Sequence, residues 1–200
     1  MARAAACLFV MLLVFLPTHA GLAQSQPHPA TAVREKVFLL RGFTNVLSPG
    51  IDELAQELKE KNVETEVANH MFALSLASEA IDDCKSGRVQ TIALVGHSFG
   101  ATGALMMADR LNKAGMRVAL VVTLDPVIKS SVPANVHRLE NFYVSSGVGT
   151  SLQPAANFHG SLKNIDLKGD PGLGHISVTT LPAMQKQVLH DILTANTRCG

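Results

Sequence analysis

The sequence predicts an α/β fold in which a mostly parallel central sheet carries helices on both faces. Short apolar runs rich in β-branched residues, such as residues 91–95, are typical of buried strands. Other segments, such as residues 51–58, place apolar side chains at i, i+3, i+4 and i+7, which is typical of amphipathic helices. Because strands and helices alternate along the chain, we expect parallel strands that helices cover on both sides.

The first half of the chain alternates between the two patterns. Residues 36–41 are predicted to form the first strand, and residues 51–58 the first helix. Residues 63–68 predict a second strand. Residues 74–84 predict a second helix, and a glycine stands just past its end, where helices often stop.

The second half continues the alternation. Residues 91–95 form a buried-strand pattern and residues 101–111 a helical one. Three further strands are predicted, at residues 117–124, 141–145 and 162–167. Residues 181–193 predict a closing helix, with a proline in its first turn where proline is tolerated.

The N-terminus has the features of a secretory signal peptide over residues 1–23. Arg3 precedes an apolar run, and small residues then allow cleavage after Ala20 or Ala23. The run is short for a bilayer, so we expect no stable membrane span after cleavage and a secreted or periplasmic protein. Residues 24–35, which contain two prolines, predict a flexible tether, and residues 36–200 form the folded domain.

Charge and cysteine content narrow the function further. The net charge is +1 with no basic stretch, which argues against a nucleic-acid partner. Signal cleavage leaves Cys84 and Cys199, and an oxidising compartment favours a disulfide between them. Sequence alone cannot place their Cα atoms within bonding reach, so two separate thiols stay possible at this stage.

The most informative stretch is Gly96-His97-Ser98-Phe99-Gly100, between a predicted strand and a predicted helix. Gly-x-Ser-x-Gly in this context is the nucleophile elbow, a sharp turn that presents the serine at the carboxyl end of a sheet. Chance matches to the pattern are common, and the alternative is a glycine-rich turn with a surface serine.

A nucleophilic serine needs a histidine base and a carboxylate that orients it. Asp125 directly follows the strand after the elbow helix and is our candidate acid. Asp170 is the rival, although it better fits a role in shaping its glycine-rich turn. His175 lies between the last strand and the last helix, in a loop able to carry an imidazole to Ser98, and is the candidate base. The other histidines of the mature chain are less suitably placed; they are His28, His70, His97, His137, His159 and His190.

The negative charge that develops during acyl transfer needs two aimed N–H donors. One candidate is the backbone N–H of Phe99, which starts a helix and has no intrahelical acceptor. The other should come from the loop after the first strand, where Phe43 is our choice and Thr44 the next.

The elbow, the acid and the base, in this order on alternating strands and helices, resemble the α/β-hydrolase superfamily over residues 36–193. Arg41-Gly42-Phe43 stands where many lipases carry His-Gly-Phe. Most members place the acid after the following strand, and Asp125 matches the variant that places it one strand earlier. Only residues 127–139 could hold a helical lid, which is too few. The chain therefore resembles a minimal, lidless esterase or lipase with an exposed site.

This resemblance implies a serine hydrolase that cleaves a small-molecule or lipid carboxylic ester through an acyl-enzyme on Ser98. It implies no metal and no organic cofactor. Thioesterase or amidase activity on the same three residues stays open, as does a catalytically silent binding protein of the same fold. Oligomeric state also stays open.

Overall fold

The computed structural model describes Met1, residues 34–169 and residues 171–200. The predicted signal peptide and most of the predicted tether lie outside the described residues, as does Asp170. None of the helices within these ranges has the length and apolar character that a membrane span requires.

The described chain alternates strands and helices, as predicted. The strands are β1 (Glu35–Arg41), β2 (Glu64–Asn69), β3 (Thr91–His97), β4 (Val118–Leu124), β5 (Ser131–Val132), β6 (Val136–Tyr143), β7 (Gln153–Pro154) and β8 (Ser161–Asp166). The helices are α1 (Pro49–Glu60), α2 (Ala73–Lys85), α3 (Phe99–Lys113) and α4 (Pro182–Leu193). Short 3-10 turns occupy Asn45–Leu47, His70–Phe72 and Ser177–Thr180.

Six strands form one sheet in the order β2-β1-β3-β4-β6-β8, and every neighbouring pair is parallel. The predicted α/β fold with a parallel central sheet is therefore confirmed. In the register of β3 and β4, His97 stands opposite Leu124. The next residues, Ser98 and Asp125, consequently leave the sheet side by side at its carboxyl edge.

Alternate residues of the strands face two separate cores. On β1, Phe38 and Leu40 pack with α2 and α3, whereas Val37 and Leu39 pack with α1 and α4. All four side chains are fully buried. This period-2 pattern buries both faces of the sheet, as expected where helices cover both sides.

Strand β6 begins at Val136, five residues before the predicted start at 141. Polar side chains interrupt its apolar pattern, yet neighbouring elements pair with them. Arg138 donates to Asp191 of α4 at 3.1 Å, and Lys163 of β8 donates to Glu140 at 3.4 Å. His137 therefore lies within the strand, near its amino end, rather than before it.

A disulfide joins Cys84, near the end of α2, to Cys199, with their Cα atoms 6.1 Å apart. The backbone on either side reinforces the link: the Cys199 N–H donates to Gln90 O and the Cys199 carbonyl accepts from Arg117 N–H, both at 2.9 Å. The C-terminal tail is thus fixed at the amino ends of β3 and β4, the edge of the sheet opposite Ser98.

Candidate active site

Ser98 occupies a strained turn between β3 and α3, with φ 57° and ψ −123°. A non-glycine residue in such a conformation costs about 1–3 kcal/mol and persists only where its surroundings hold it. The flanking glycines are sterically required. A Cβ at Gly96 would overlap the Gly100 carbonyl, and one at Gly100 would overlap the Leu40 carbonyl of β1.

The structure brings the three predicted side chains into one hydrogen-bonded series. The Nε2 atom of His175 lies 2.9 Å from Ser98 Oγ, and its Nδ1 atom lies 2.6 Å from Asp125 Oδ2. A carboxylate only accepts, so Nδ1 carries the proton and Nε2 is free to accept the serine proton. This is the arrangement that activates a serine nucleophile.

Asp125 is fully buried and adopts φ 48°, so its backbone is strained as that of Ser98 is. Its N–H donates to Phe142 O at 2.7 Å, and its Oδ1 atom accepts from Val144 N–H at 2.7 Å. One carboxylate oxygen is therefore held by the backbone after β6, and the other faces His175. Gly149 packs against Oδ1 so closely that a Cβ there would overlap it.

Access to the site differs from the expected exposed serine. Residues 125–135 form no helix and contribute only β5, which pairs with β7, so the described chain has no helical cover between β4 and β6. Ser98 is nevertheless only 6% exposed. Gly42 crowds it, since a Cβ on Gly42 would lie 3.1 Å from Ser98 Cβ. The opening is narrow at the nucleophile itself, and the His175 side chain is 31% exposed beside it.

The backbone N–H groups of Phe43 and Phe99 have no acceptor among the described residues. Phe99 is the first residue of α3, where no intrahelical acceptor exists. The Gly42–Phe43 peptide is trans, and its carbonyl accepts from Asn69 Nδ2 at 3.1 Å and His70 Nδ1 at 3.3 Å. The Phe43 N–H consequently points away from those two side chains.

The sequence did not predict a role at the site for four polar side chains that the structure places near it. Asn69 and His70 fix the Gly42 carbonyl, and Ser48 accepts from the Gly42 N–H at 3.2 Å. His97 is 1% exposed, and its burial lowers its pKa to about 4. The two histidines lie next to strand ends, which is the only signal the sequence offered for them.

Large apolar side chains stand exposed on the segments that follow the strands of the main sheet, at the carboxyl edge where Ser98 also lies. Phe43 is 74% exposed, and its ring centroid lies 6.1 Å from that of Phe99. We call this set the apolar rim; it consists of Phe43, Val46, Leu47, Met71, Phe72, Leu74, Phe99, Ile128, Val148 and Ile176. Exposed apolar patches on soluble proteins are a common feature of ligand-binding and interaction surfaces.

A groove of about 790 Å³ lies along α3, and its lining includes Leu74, Thr102, Met106, Pro133 and Ala155. It contains none of the three hydrogen-bonded side chains. Within residues 34–169 and 171–200, no three His, Cys, Asp or Glu side chains are grouped as metal ligands.

No protein-family model matches this chain, and no curated protein matches it. Among solved structures, it is similar to a protein from Xanthomonas campestris pv. campestris that is provisionally described as a hydrolase of the alpha/beta superfamily. The TM-score is 0.42 and the identity 14%, over 78% of this chain and 95% of the other. A likeness this distant leaves the function to be argued from the site.

Proposed function

We propose that the protein is a serine hydrolase that cleaves carboxylic esters through an acyl-enzyme on Ser98. The observation that carries this proposal is the hydrogen-bonded series from Ser98 through His175 to the buried Asp125. The strained backbone at Ser98 is the second support, because strain of this kind clusters at functional sites.

In the proposed mechanism Ser98 Oγ attacks the ester carbonyl carbon while its proton passes to His175 Nε2. Asp125 stabilises the imidazolium that forms. The N–H groups of Phe43 and Phe99 stabilise the developing oxyanion, and loss of one such donor typically costs about 3 kcal/mol. His175 then protonates the leaving alcohol, and a water molecule, deprotonated by the same histidine, releases the acid from Ser98.

The apolar rim favours a substrate with an apolar acyl or alkyl group, whether a small ester or a lipid ester. Phe43 and Phe99 contribute both the proposed oxyanion donors and exposed rings to the rim. An apolar group bound there would lie beside the carbonyl that Ser98 attacks. Burial of each CH₂ group contributes about 0.8 kcal/mol, so affinity should rise with chain length.

The disulfide between Cys84 and Cys199 supports a secreted or periplasmic mature domain, because such bonds persist in oxidising compartments. It agrees with the signal peptide predicted over residues 1–23.

A panel of p-nitrophenyl esters from acetate to palmitate tests the proposal, with a matched thioester and anilide to identify the leaving group. We expect ester hydrolysis with kcat/KM rising over the shorter chains. Ser98→Ala should lower kcat by about 10⁶-fold, to the limit of the assay. Ser78→Ala, which removes an exposed hydroxyl on α2, serves as the control and should match wild type. Equal rates for Ser98→Ala and wild type would contradict the mechanism, and preference for the thioester or anilide would reassign the substrate class.

A further inference from the structure

A chain of hydrogen bonds, almost wholly buried, runs behind the candidate active site and links two of its loops. The Gly42 N–H donates to Ser48 Oγ at 3.2 Å. Ser48 Oγ lies 2.7 Å from His97 Nδ1, and His97 Nε2 lies 2.8 Å from the carbonyl oxygen of His175. Ser48 is 0% and His97 1% exposed, so water does not compete for these bonds.

The direction of every bond in this chain is determined by chemistry. A carbonyl oxygen only accepts, so His97 Nε2 must carry the proton that it donates to His175. The Nδ1 atom of the neutral ring then only accepts, so the Ser48 hydroxyl donates to it. Ser48 Oγ is left with lone pairs that accept from Gly42. Burial lowers the pKa of His97 to about 4, which keeps the ring neutral as this arrangement requires.

Both ends of this series of hydrogen bonds reach groups that the proposed reaction uses. Gly42 immediately precedes Phe43, one of the two proposed oxyanion donors. His175 is the proposed base, and its ring centroid lies 4.8 Å from that of His97. His97 itself directly precedes the nucleophile Ser98. One imidazole is therefore hydrogen-bonded toward the base loop on one side and the oxyanion loop on the other.

We infer that His97 is a positioning residue that sets the backbone of His175 directly and the oxyanion loop through Ser48. The inference rests on the proposed function for its effect on rate, although its effect on geometry can be measured without turnover. A misplacement of about 1 Å can lower a reaction rate by about 100-fold. A residue that fixes the position of two reacting groups therefore has a large effect on the rate.

Two substitutions at His97 separate its two contacts. His97→Gln places an amide N–H near the position of Nε2, so it can still donate to the His175 carbonyl. His97→Asn is shorter: it can accept from Ser48 near the position of Nδ1 but cannot reach His175. Ser48→Ala removes the link to Gly42 together with the bond to His97 Nδ1, and it leaves the bond from His97 Nε2 to the His175 carbonyl in place. Val118→Ala is the control for lost stability, because it opens a cavity at the amino end of β4, far from the site.

Two measurements report on the loop that carries His175 and on the oxyanion loop. The downfield proton NMR resonance of His175 Nδ1–H, identified by its loss in Asp125→Asn, reports the base. The second-order rate of Ser98 labelling by a fluorophosphonate reports the base and the oxyanion loop together. Thermal melts of every variant establish that it is folded.

We expect His97→Asn to shift or broaden the resonance and to slow labelling by about 10- to 100-fold. His97→Gln should restore the resonance but recover only part of the labelling rate, because it no longer binds Ser48. Ser48→Ala should slow labelling but leave the resonance in place, and Val118→Ala should change neither despite its lower Tm. If His97→Asn does not fold, His97→Gln and Ser48→Ala carry the test, and a lost resonance in the former or a normal labelling rate in the latter overturns the inference.

The inference is also overturned if folded His97→Asn keeps both the resonance and the labelling rate of wild type, or if Val118→Ala slows labelling equally. The failure of the proposed function can be distinguished from the failure of this inference. Wild-type protein that resists the fluorophosphonate would overturn the hydrolase, and a perturbed resonance in His97→Asn would still establish the positioning role.

Discussion

Gly149→Ala should impair the proposed hydrolase although it replaces none of the proposed catalytic residues. A Cβ at Gly149 would overlap Asp125 Oδ1 and lie 2.8 Å from both Asp125 Cγ and the Val144 nitrogen. The two contacts at 2.8 Å fall 0.6 Å short of an ordinary contact at 3.4 Å, and the overlap with Oδ1 requires a larger shift of the carboxylate or the loop. The bond of 2.6 Å between Asp125 and His175 would then pass the usual limit for hydrogen bonds.

A displacement of this size predicts a kcat that is lower by about 10- to 100-fold. KM should change little, because Val148 is the one member of the apolar rim in this loop. The same loop offers a matched control at Gly147, where a Cβ meets nothing closer than Val144 O at 3.5 Å. The assay is p-nitrophenyl ester hydrolysis, with circular dichroism to establish folding. If folded Gly149→Ala is as active as Gly147→Ala, the carboxylate of Asp125 does not have the role assigned to it.

Three further predictions concern the acid, the disulfide and pH. Asp125→Asn should lower kcat for ester hydrolysis by about 10⁴-fold, because the imidazole loses the acceptor that orients it. Asp170→Asn should stay within about threefold of wild type in the same assay. The reverse order would assign the acid to Asp170. Reduction of the disulfide between Cys84 and Cys199 should lower the free energy of unfolding, measured by urea denaturation, by about 4–5 kcal/mol, because the bond closes a loop between residues 115 positions apart. An unchanged midpoint of urea unfolding would show that the bond adds no stability. Burial lowers the pKa of His97 from 6.5 to about 4, so the unfolded chain takes up the proton first as pH falls. Between pH 7 and 5, wild type should therefore lose about 2 kcal/mol more unfolding free energy than His97→Gln, and parallel pH curves would contradict the buried neutral ring.

The fold and the position of the elbow follow from local patterns. Gly96 and Gly100 are required because their neighbours leave no room for a Cβ, and that requirement is visible as a spaced pair of glycines. The rule that functional groups collect at the carboxyl ends of parallel strands selected Asp125 and His175, and the structure places both beside Ser98. Their catalytic roles stay predictions.

The remaining features depend on contacts between distant parts of the chain. Ser48 and His97 are 49 residues apart, and His97 and His175 are 78 apart, so no local period links them. Strand β6 was predicted too short because Arg138 and Glu140 resemble a surface segment until their partners on other elements are known.

The loop after β6 shows the same dependence. In the hydrolases that the sequence resembles, this loop usually supplies the acid. Here residues 145–157 carry no carboxylate, and the Val144 N–H, together with the close approach of Gly149, positions the one from β4 instead. The absence of an acid was visible in the sequence, but the compensating backbone contact was not.

The central claim is that Ser98 is an activated nucleophile, and intact-protein mass spectrometry after exposure to a fluorophosphonate tests it most directly. The account predicts one adduct per chain on wild type, mapped to the peptide that contains Ser98, with no adduct on Ser98→Ala and strongly slowed labelling of His175→Ala. Folded wild-type protein that stays unmodified, or Ser98→Ala that is labelled as fast as wild type, would contradict it.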